Sequence, residues 1–299
     1  MILLNLALLA TLSAACVNPH DGFASDSLLV VSWNVENLFD WKDGGNGDSD
    51  RDFTPTGSKH WTSRKFHAKC NGIAKTLLLI AERHGRLPDA VALMEVENRY
   101  VLNRLVYGTV LKKLDYGIIH YESPDHRGID CSLLYRKSTM QLRHSSPGHL
   151  YDSLGRVMPT RDILVAVFDS ISVLVNHHPS KVGSGGEWRR IVAMDRMTQI
   201  CDSLEASGSV RILCVGDFND DVWNNGGRGT IKYNGAWEKI DGFFVRGAIK
   251  EVSEEVFDDS SLTVRDNAFG GLKPLRTYSG PRYLGGISDH YPIVVTVYF

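Results

Sequence analysis

The sequence predicts a single α/β domain built on mixed β-sheet, and three observations lead there. Apolar runs of strand length alternate with segments whose apolar residues recur at helical spacing. Their order mixes β-hairpins with β–α–β stretches, which argues against a purely parallel sheet. No linker, internal repeat or low-complexity segment divides residues 28–299, and 299 residues suit one large domain.

The elements follow in order. Ile2–Leu12 is apolar but too short to cross a bilayer, and small residues follow it up to Cys16. This reads as an export signal over residues 1–16. Ser13-Ala14-Ala15-Cys16 also resembles a bacterial lipoprotein cleavage site, which would place a lipid on Cys16; a misassigned start codon or an ordinary apolar first strand stays open as the alternative to export. Residues 17–27 are polar and read as a tether. Leu28–Val35 and Ala90–Met94 are buried strands. Phe66, Cys70, Ile73, Leu77 and Ile80 define the apolar face of a helix starting near Ser63. Leu102, Leu105, Val106 and Leu111 mark a second helix, and Ile191, Met194, Thr198, Cys201 and Leu204 a third. Further strands are expected at Gly117–Tyr121, Cys131–Tyr135, Ile163–Phe168, Ile171–Val175, Val210–Val215, Phe243–Val245 and Pro292–Tyr298.

Composition narrows the function. Thirty-three Lys and Arg against 35 Asp and Glu give a formal charge of −2, so this is not a uniformly basic chain that coats nucleic acid; a local basic patch stays compatible with that sum. Cys70, Cys131, Cys201 and Cys214 have no CxxC spacing, which excludes a zinc knuckle and leaves buried thiols as the expectation.

Polar residues gather at expected strand ends: Asn34, Glu95, Asn176-His177, Asp217 with Asn219, and Asp289-His290, with Asp241 at the start or middle of its strand. Strand ends on one edge of a sheet converge, so these residues can share a cleft. Asn, Asp and Glu oxygens suit a hard cation such as Mg²⁺ or Mn²⁺ that also holds phosphate oxygens. An Asp beside such an ion can orient or deprotonate water, and His can stabilise the phosphorane or protonate the leaving oxygen. Asn219 can bind phosphate without adding negative charge.

Ser32-Trp33-Asn34, Leu93-Met94-Glu95, Asn176-His177, Gly216-Asp217-Phe218-Asn219, Ile240-Asp241 and Ser288-Asp289-His290 resemble, in order, the motifs of the endonuclease/exonuclease/phosphatase superfamily, as found in its exported bacterial members. That superfamily includes deoxyribonuclease I-like nucleases, neutral sphingomyelinases and inositol-phosphate 5-phosphatases. The resemblance spans nearly the whole chain. It implies a four-layer sandwich of two mixed β-sheets flanked by helices. It implies Glu95 as main metal ligand with Asn34 and Asp289 beside it, Asp217 at the attacking water, Asn219 and His290 on the phosphate, Asp241 orienting His290, and His177 as second histidine, with His178 the alternative. Arg127, Asp130 and Arg276 also match exported members, and Arg127, Asn176 and Arg276 are candidate substrate contacts. The implied reaction is metal-dependent phosphodiester hydrolysis, with nucleic acid as substrate; a phosphatase or sphingomyelinase-like phospholipase is the alternative. The expected protein is an exported monomer, periplasmic, secreted or lipid-anchored, with no obligate protein partner.

Blander readings attach to other residues. Trp33 and Phe218 read as core aromatics, and Asp220-Asp221 as a solvated turn. Asp48, Asp50 and Asp52 resemble a calcium loop but lack the full EF-hand ligand set, so a polar loop is expected. Gly183–Gly186 lacks the Gly-Lys-Ser/Thr ending of a P-loop. Specificity is expected in loops 40–62, 122–130, 181–188 and 221–236.

Overall fold

The computed structural model describes residues 27–45, 47–181, 186–221 and 228–299. The expected export segment and all but the last residue of the tether lie outside them, as do parts of loops 40–62, 181–188 and 221–236.

Eleven strands form two mixed sheets. They are β1 (Ser27–Leu38), β2 (Ala90–Val96), β3 (Tyr116–His120), β4 (Asp130–Arg136), β5 (Leu142–Gly148), β6 (Ile163–Phe168), β7 (Ser172–His177), β8 (Arg211–Asp217), β9 (Asp241–Gly247), β10 (Glu251–Val256) and β11 (Ile293–Tyr298). One sheet has the order β10-β11-β1-β2-β4-β3, the other β9-β8-β7-β6-β5. Each contains one parallel pair, β1 with β2 and β7 with β8, among antiparallel neighbours. Three short two-stranded ribbons decorate the loops.

The alternation of side chains along a strand builds the layers. On β1, Leu29, Val31 and Trp33 face helices α1 (Ser63–His84) and α2 (Arg99–Gly108). Leu28 and Val30 face the other way, with Ala92, Met94 and Leu133, against Leu164, Ala166, Val173, Val175, Leu213 and Val215 of the second sheet. Leu174, Ile212 and Cys214 turn outward to α3 (Gly186–Ala206). The architecture is therefore a four-layer α/β sandwich of two mixed sheets, as expected.

Helix limits follow local chemistry. Thr62 Oγ1 accepts from Lys65 N–H at the start of α1, and Gly85 ends it with φ of 67°. Asn98 Oδ1 accepts from Val101 N–H to start α2; Leu111 lies beyond that helix in a 3₁₀ turn, Val110–Lys113. The buried stripe of α3 is Ala193, Met197, Ile200 and Cys201, rotated from the expected one, and Ile191 is 55% exposed. Apolar residues surround that helix, so spacing alone does not select a face. Strands β5 and β10 were not expected. Both are sheet edges, one carrying Pro147 and the other Glu251, Glu254 and Glu255, and edge strands tolerate proline and charge. The four cysteines after residue 26 are buried and free. No helix among the described residues is long and apolar enough to cross a membrane.

Candidate active site

The strand ends converge at one end of the inter-sheet layer. β1 and β2 are parallel and finish together at Asn34 and Glu95; β7 and β8 do the same at His177 and Asp217. β9 and β11 run opposite to their partners, so Asp241 and the Asp289-His290 pair lie at that same end, with Asp241 directly opposite Asp217.

Alternation selects which residue enters the layer. His177 shares the inward parity of Val173 and Val175, while Asn176 shares the outward parity of Leu174. Accordingly His177 Nε2 lies 3.7 Å from Asp217 Oδ2 and 3.9 Å from Glu95 Oε1. The fully buried Asn176 spends its amide on the carbonyls of Leu174 and Val215. His178 stands off the strand with its ring edge-on to Phe218, so the structure brings His177 to the cluster and not His178.

Irregular backbone aims several of the others. Glu95 has φ of +63° and sits where the β2–β4 register shifts, which swings its carboxylate away from its regular strand face. Glu36 and Asn37 also have positive φ, at a register shift between β1 and β2. Asn37 N–H donates to Glu95 Oε2 at 2.8 Å, which fixes that carboxylate. Gly216 must be glycine: φ is +149°, and a Cβ there would lie 1.9 Å from the Asn176 carbonyl oxygen.

Two halves are distinguishable. In the first, His290 Nδ1 bonds Asp241 Oδ2 at 2.7 Å, and Thr230 Oγ1 donates to that same oxygen. His290 Nε2 is 3.9 Å from Asp217 Oδ2. Asn34 Nδ2 donates to Asp217 Oδ2 at 3.0 Å, and Asn219 N–H donates to Oδ1 at 2.9 Å. Asn219 Nδ2 donates to the His178 carbonyl. Ser288 Oγ donates to the Asn34 carbonyl and accepts from His290 N–H, and the Trp33 indole donates to the His290 carbonyl, so a core aromatic also anchors the site.

In the second half Arg276 bridges carboxylates. Its Nη2 lies 3.0 Å from Glu36 Oε1 and 3.0 Å from Asp289 Oδ2. Lys69, buried within α1, donates to Thr277 Oγ1 and to the Glu36 carbonyl. Arg127 lies apart. It lines a cavity of about 240 Å³ with Arg161 and Arg189, and Asp125 pairs with both Arg127 and Arg161. Asp130 bonds His120 Nε2 at 3.0 Å.

The charges follow from burial and neighbours. Burial, then the Asp241 charge, pushes Asp217 up to about 7. Burial would lower His290, but the charge and hydrogen bond of Asp241, with Asp217 and Asp289, hold it well above the usual imidazole range. Burial, reinforced by Arg161, drives His177 well below that range and His178 to about 3. Burial and Asp289 raise Glu36 to about 7, and burial lowers Lys69 to about 8 against the pull of Glu36, Glu95 and Asp289. His290 is thus a buried cation and His177 a neutral ring.

Asp217, Asp241 and His290 lie close enough to hold a metal ion. Their donor atoms are already engaged, since His290 Nδ1 and Asp241 Oδ2 bond each other at 2.7 Å and Asp217 accepts from Asn34 Nδ2 and Asn219 N–H. Glu95 and Asp289 fit an ion better. They are oxygen donors partly open to solvent, with Arg276 the cation that an ion at Asp289 would have to share it with.

Glu36, Lys69 and Arg161 complete the site but were not singled out in the sequence, and Thr230 and Ser288 were given no role there. Lys69, a charge beside the apolar face of α1 next to Cys70, carried the clearest signal.

The fold agrees with solved structures. TDP2 from Caenorhabditis elegans superposes with a TM-score of 0.56 at 16% identity, covering 98% of this chain and 80% of that one. An endonuclease/exonuclease/phosphatase family protein from Bacteroides thetaiotaomicron gives 0.53 at 16% identity, covering 91% and 97%. A mannosyl-6-phosphatase from the same organism gives 0.53 at 16% identity, covering 91% and 100%. Comparison with the curated proteins gives no match. The sequence matches the Endonuclease/Exonuclease/phosphatase family over residues 29–229 and 222–298. With both sheets and every one of its six strand-end motifs inside that match, the chain belongs to the Endonuclease/Exonuclease/phosphatase family of phosphoester hydrolases.

Proposed function

We propose that the chain hydrolyses phosphodiester bonds in nucleic acid, using Mg²⁺ or Mn²⁺ held by Glu95 and Asp289 with Asn34 beside them. The observation that carries the reading is the Asp241–His290 pair set against Asp217 and Asn219. An ion of this kind, when bound, neutralises charge on the phosphate oxygens. Asp217, raised toward neutrality, takes a proton from the attacking water. The His290 cation stabilises the phosphorane, and Asp241 holds its ring in place. Asn219 donates to phosphate, and His177 contacts the phosphate or the leaving oxygen. The Arg127, Arg161 and Arg189 cavity, next to the Ser180 segment that follows His177, supports a substrate with more than one anionic group. The N-terminal pattern supports export, with Cys16 as a lipid anchor, and a monomer needs no partner to complete this site.

A second reading keeps the site and changes the substrate to a phosphomonoester or a sphingomyelin-like lipid. The formal charge of −2 favours it. The test is a panel of DNA, RNA, sphingomyelin and sugar phosphates with Mg²⁺ or Mn²⁺, run beside Glu95→Gln and excess EDTA. Cleavage of DNA or RNA that falls at least about 100-fold in both controls is expected, about 3 kcal/mol of lost transition-state stabilisation. Activity unchanged in Glu95→Gln, or no hydrolysis of any member, would sink the assignment.

A further inference from the structure

Three arginines from separate segments line the cavity of about 240 Å³ beside the catalytic cluster. Arg127 comes from the turn before β4, Arg161 from the residues just before β6 and Arg189 from the first turn of α3. The fully buried side chain of Asp125 positions two of them. Its Oδ1 accepts from Arg127 N–H at 3.0 Å and lies 3.7 Å from Arg127 Nε, and its Oδ2 accepts from Arg161 Nη1 at 3.1 Å. Arg189 is exposed and forms no ion pair among the described residues. Three guanidiniums thus face one carboxylate, and two positive charges are left over.

Arg161 is only 6% exposed, and its pairing is incomplete. A guanidinium carries five N–H donors. Arg161 gives one to Asp125 and one to the His178 carbonyl, and its buried Nε has no hydrogen-bond partner. A buried charge in this state is unfavourable unless an anion completes it, and arginine forks match phosphate oxygens in pairs. The cavity also touches the catalytic cluster. The His178 carbonyl accepts from Arg161 Nη2 at 2.6 Å and from Asn219 Nδ2 at 2.9 Å, while His178 N–H donates to the Asp217 carbonyl at 2.8 Å. The charges of Arg161 and Arg127 both act on His177. One peptide oxygen therefore separates the arginine that lines the cavity from the amide assigned to the scissile phosphate.

We propose that Arg127, Arg161 and Arg189 form a subsite for a second phosphate of the same substrate, next along the chain from the one that is cleaved. The inference rests on the phosphodiesterase reading above and narrows it to substrates with at least two phosphates. In a nucleic acid the group nearest the scissile phosphate that carries charge is the adjacent phosphate, and contacts to it set register without reading sequence. That phosphate is either a terminal monoester or the next diester. A substrate with one phosphate leaves the arginines without their anion.

The test compares kcat/KM of the full chain with Mn²⁺ on four thymidine oligomers: TpT, pTpT, TpTp and TpTpT. Wild type should prefer at least one substrate with an added phosphate over TpT by about 10-fold or more. A gain confined to pTpT or TpTp assigns the subsite to a terminal phosphate, and a gain shared by TpTpT assigns it to the next diester. That preference should fall by about 10-fold in Arg161→Lys and in Arg189→Ala. Arg189 is on the surface, so its variant keeps the test standing if Arg161→Lys does not fold. No preference in wild type overturns the proposal. So does a preference kept in Arg189→Ala, or a loss equal on all four substrates, which marks a structural role only. If none of the four is cleaved, the phosphodiesterase reading fails by itself, and binding judges the subsite. Inorganic phosphate at ten times its Kd should then raise Tm of the chelator-stripped wild type by about 3 °C and that of Arg189→Ala by less than about 1 °C. Equal shifts, or none, refute it.

Discussion

Replacing Asp241 with Asn isolates what charge contributes to this site. The amide has nearly the shape of the carboxylate, and its oxygen can still accept from Thr230 Oγ1 and from His290 Nδ1–H. What disappears is one negative charge 2.7 Å from a buried imidazole. Two unit charges centred near 4 Å interact by about 4 kcal/mol at an effective dielectric of 20. A charge-assisted hydrogen bond contributes about 1.5–3 kcal/mol net, so kcat/KM should fall by about 10- to 150-fold. The pH profile separates this from simple damage. Asp241 raises His290, so its loss lowers the pH at which the ring gives up its proton. Asp241 also raises Asp217, so its loss lets that carboxylate ionise at lower pH. Both shifts move the activity window to lower pH, by about one to two units. The assay is metal-dependent hydrolysis from pH 5 to 9, with Tm confirming that the variant is folded. The deficit should grow as pH rises. A deficit uniform across pH, or none, would refute the role of Asp241 as the group that keeps His290 charged.

Two further outcomes concern stability. His178 is buried with its pKa lowered to about 3, so between there and about 6.5 the unfolded chain binds more protons than the folded one. Folding is therefore weakened as pH falls below 6.5, by up to about 1.4 kcal/mol per unit from this ring. His178→Leu should flatten the dependence of the urea midpoint between pH 6.5 and 5 without abolishing it, because His177 titrates in the same direction; an unchanged slope would contradict the assignment. Leu133 is fully buried between the sheets, and Leu133→Ala should cost about 2–5 kcal/mol in urea unfolding. A cost below about 1 kcal/mol would mean that the inter-sheet layer relaxes around the cavity.

Sequence by itself determined the family and most elements of this protein. Buried strands such as Ala90–Met94 are legible because burial on both faces demands a continuous apolar run. The strand-end motifs are legible because each joins such a run to a polar residue in short range. Edge strands Leu142–Gly148 and Glu251–Val256 were not, since an edge half open to solvent needs no apolar pattern. The turn of α3 was not, because its apolar residues surround the axis. Only the tertiary structure decided between His177 and His178, through strand parity and the 3.7 Å approach of His177 to Asp217. Only it brought Glu36, Lys69 and Arg276 to Asp289, and Asp50 inward to Glu97. These are contacts between groups far apart in the chain, and the register of two sheets sets them rather than any local preference.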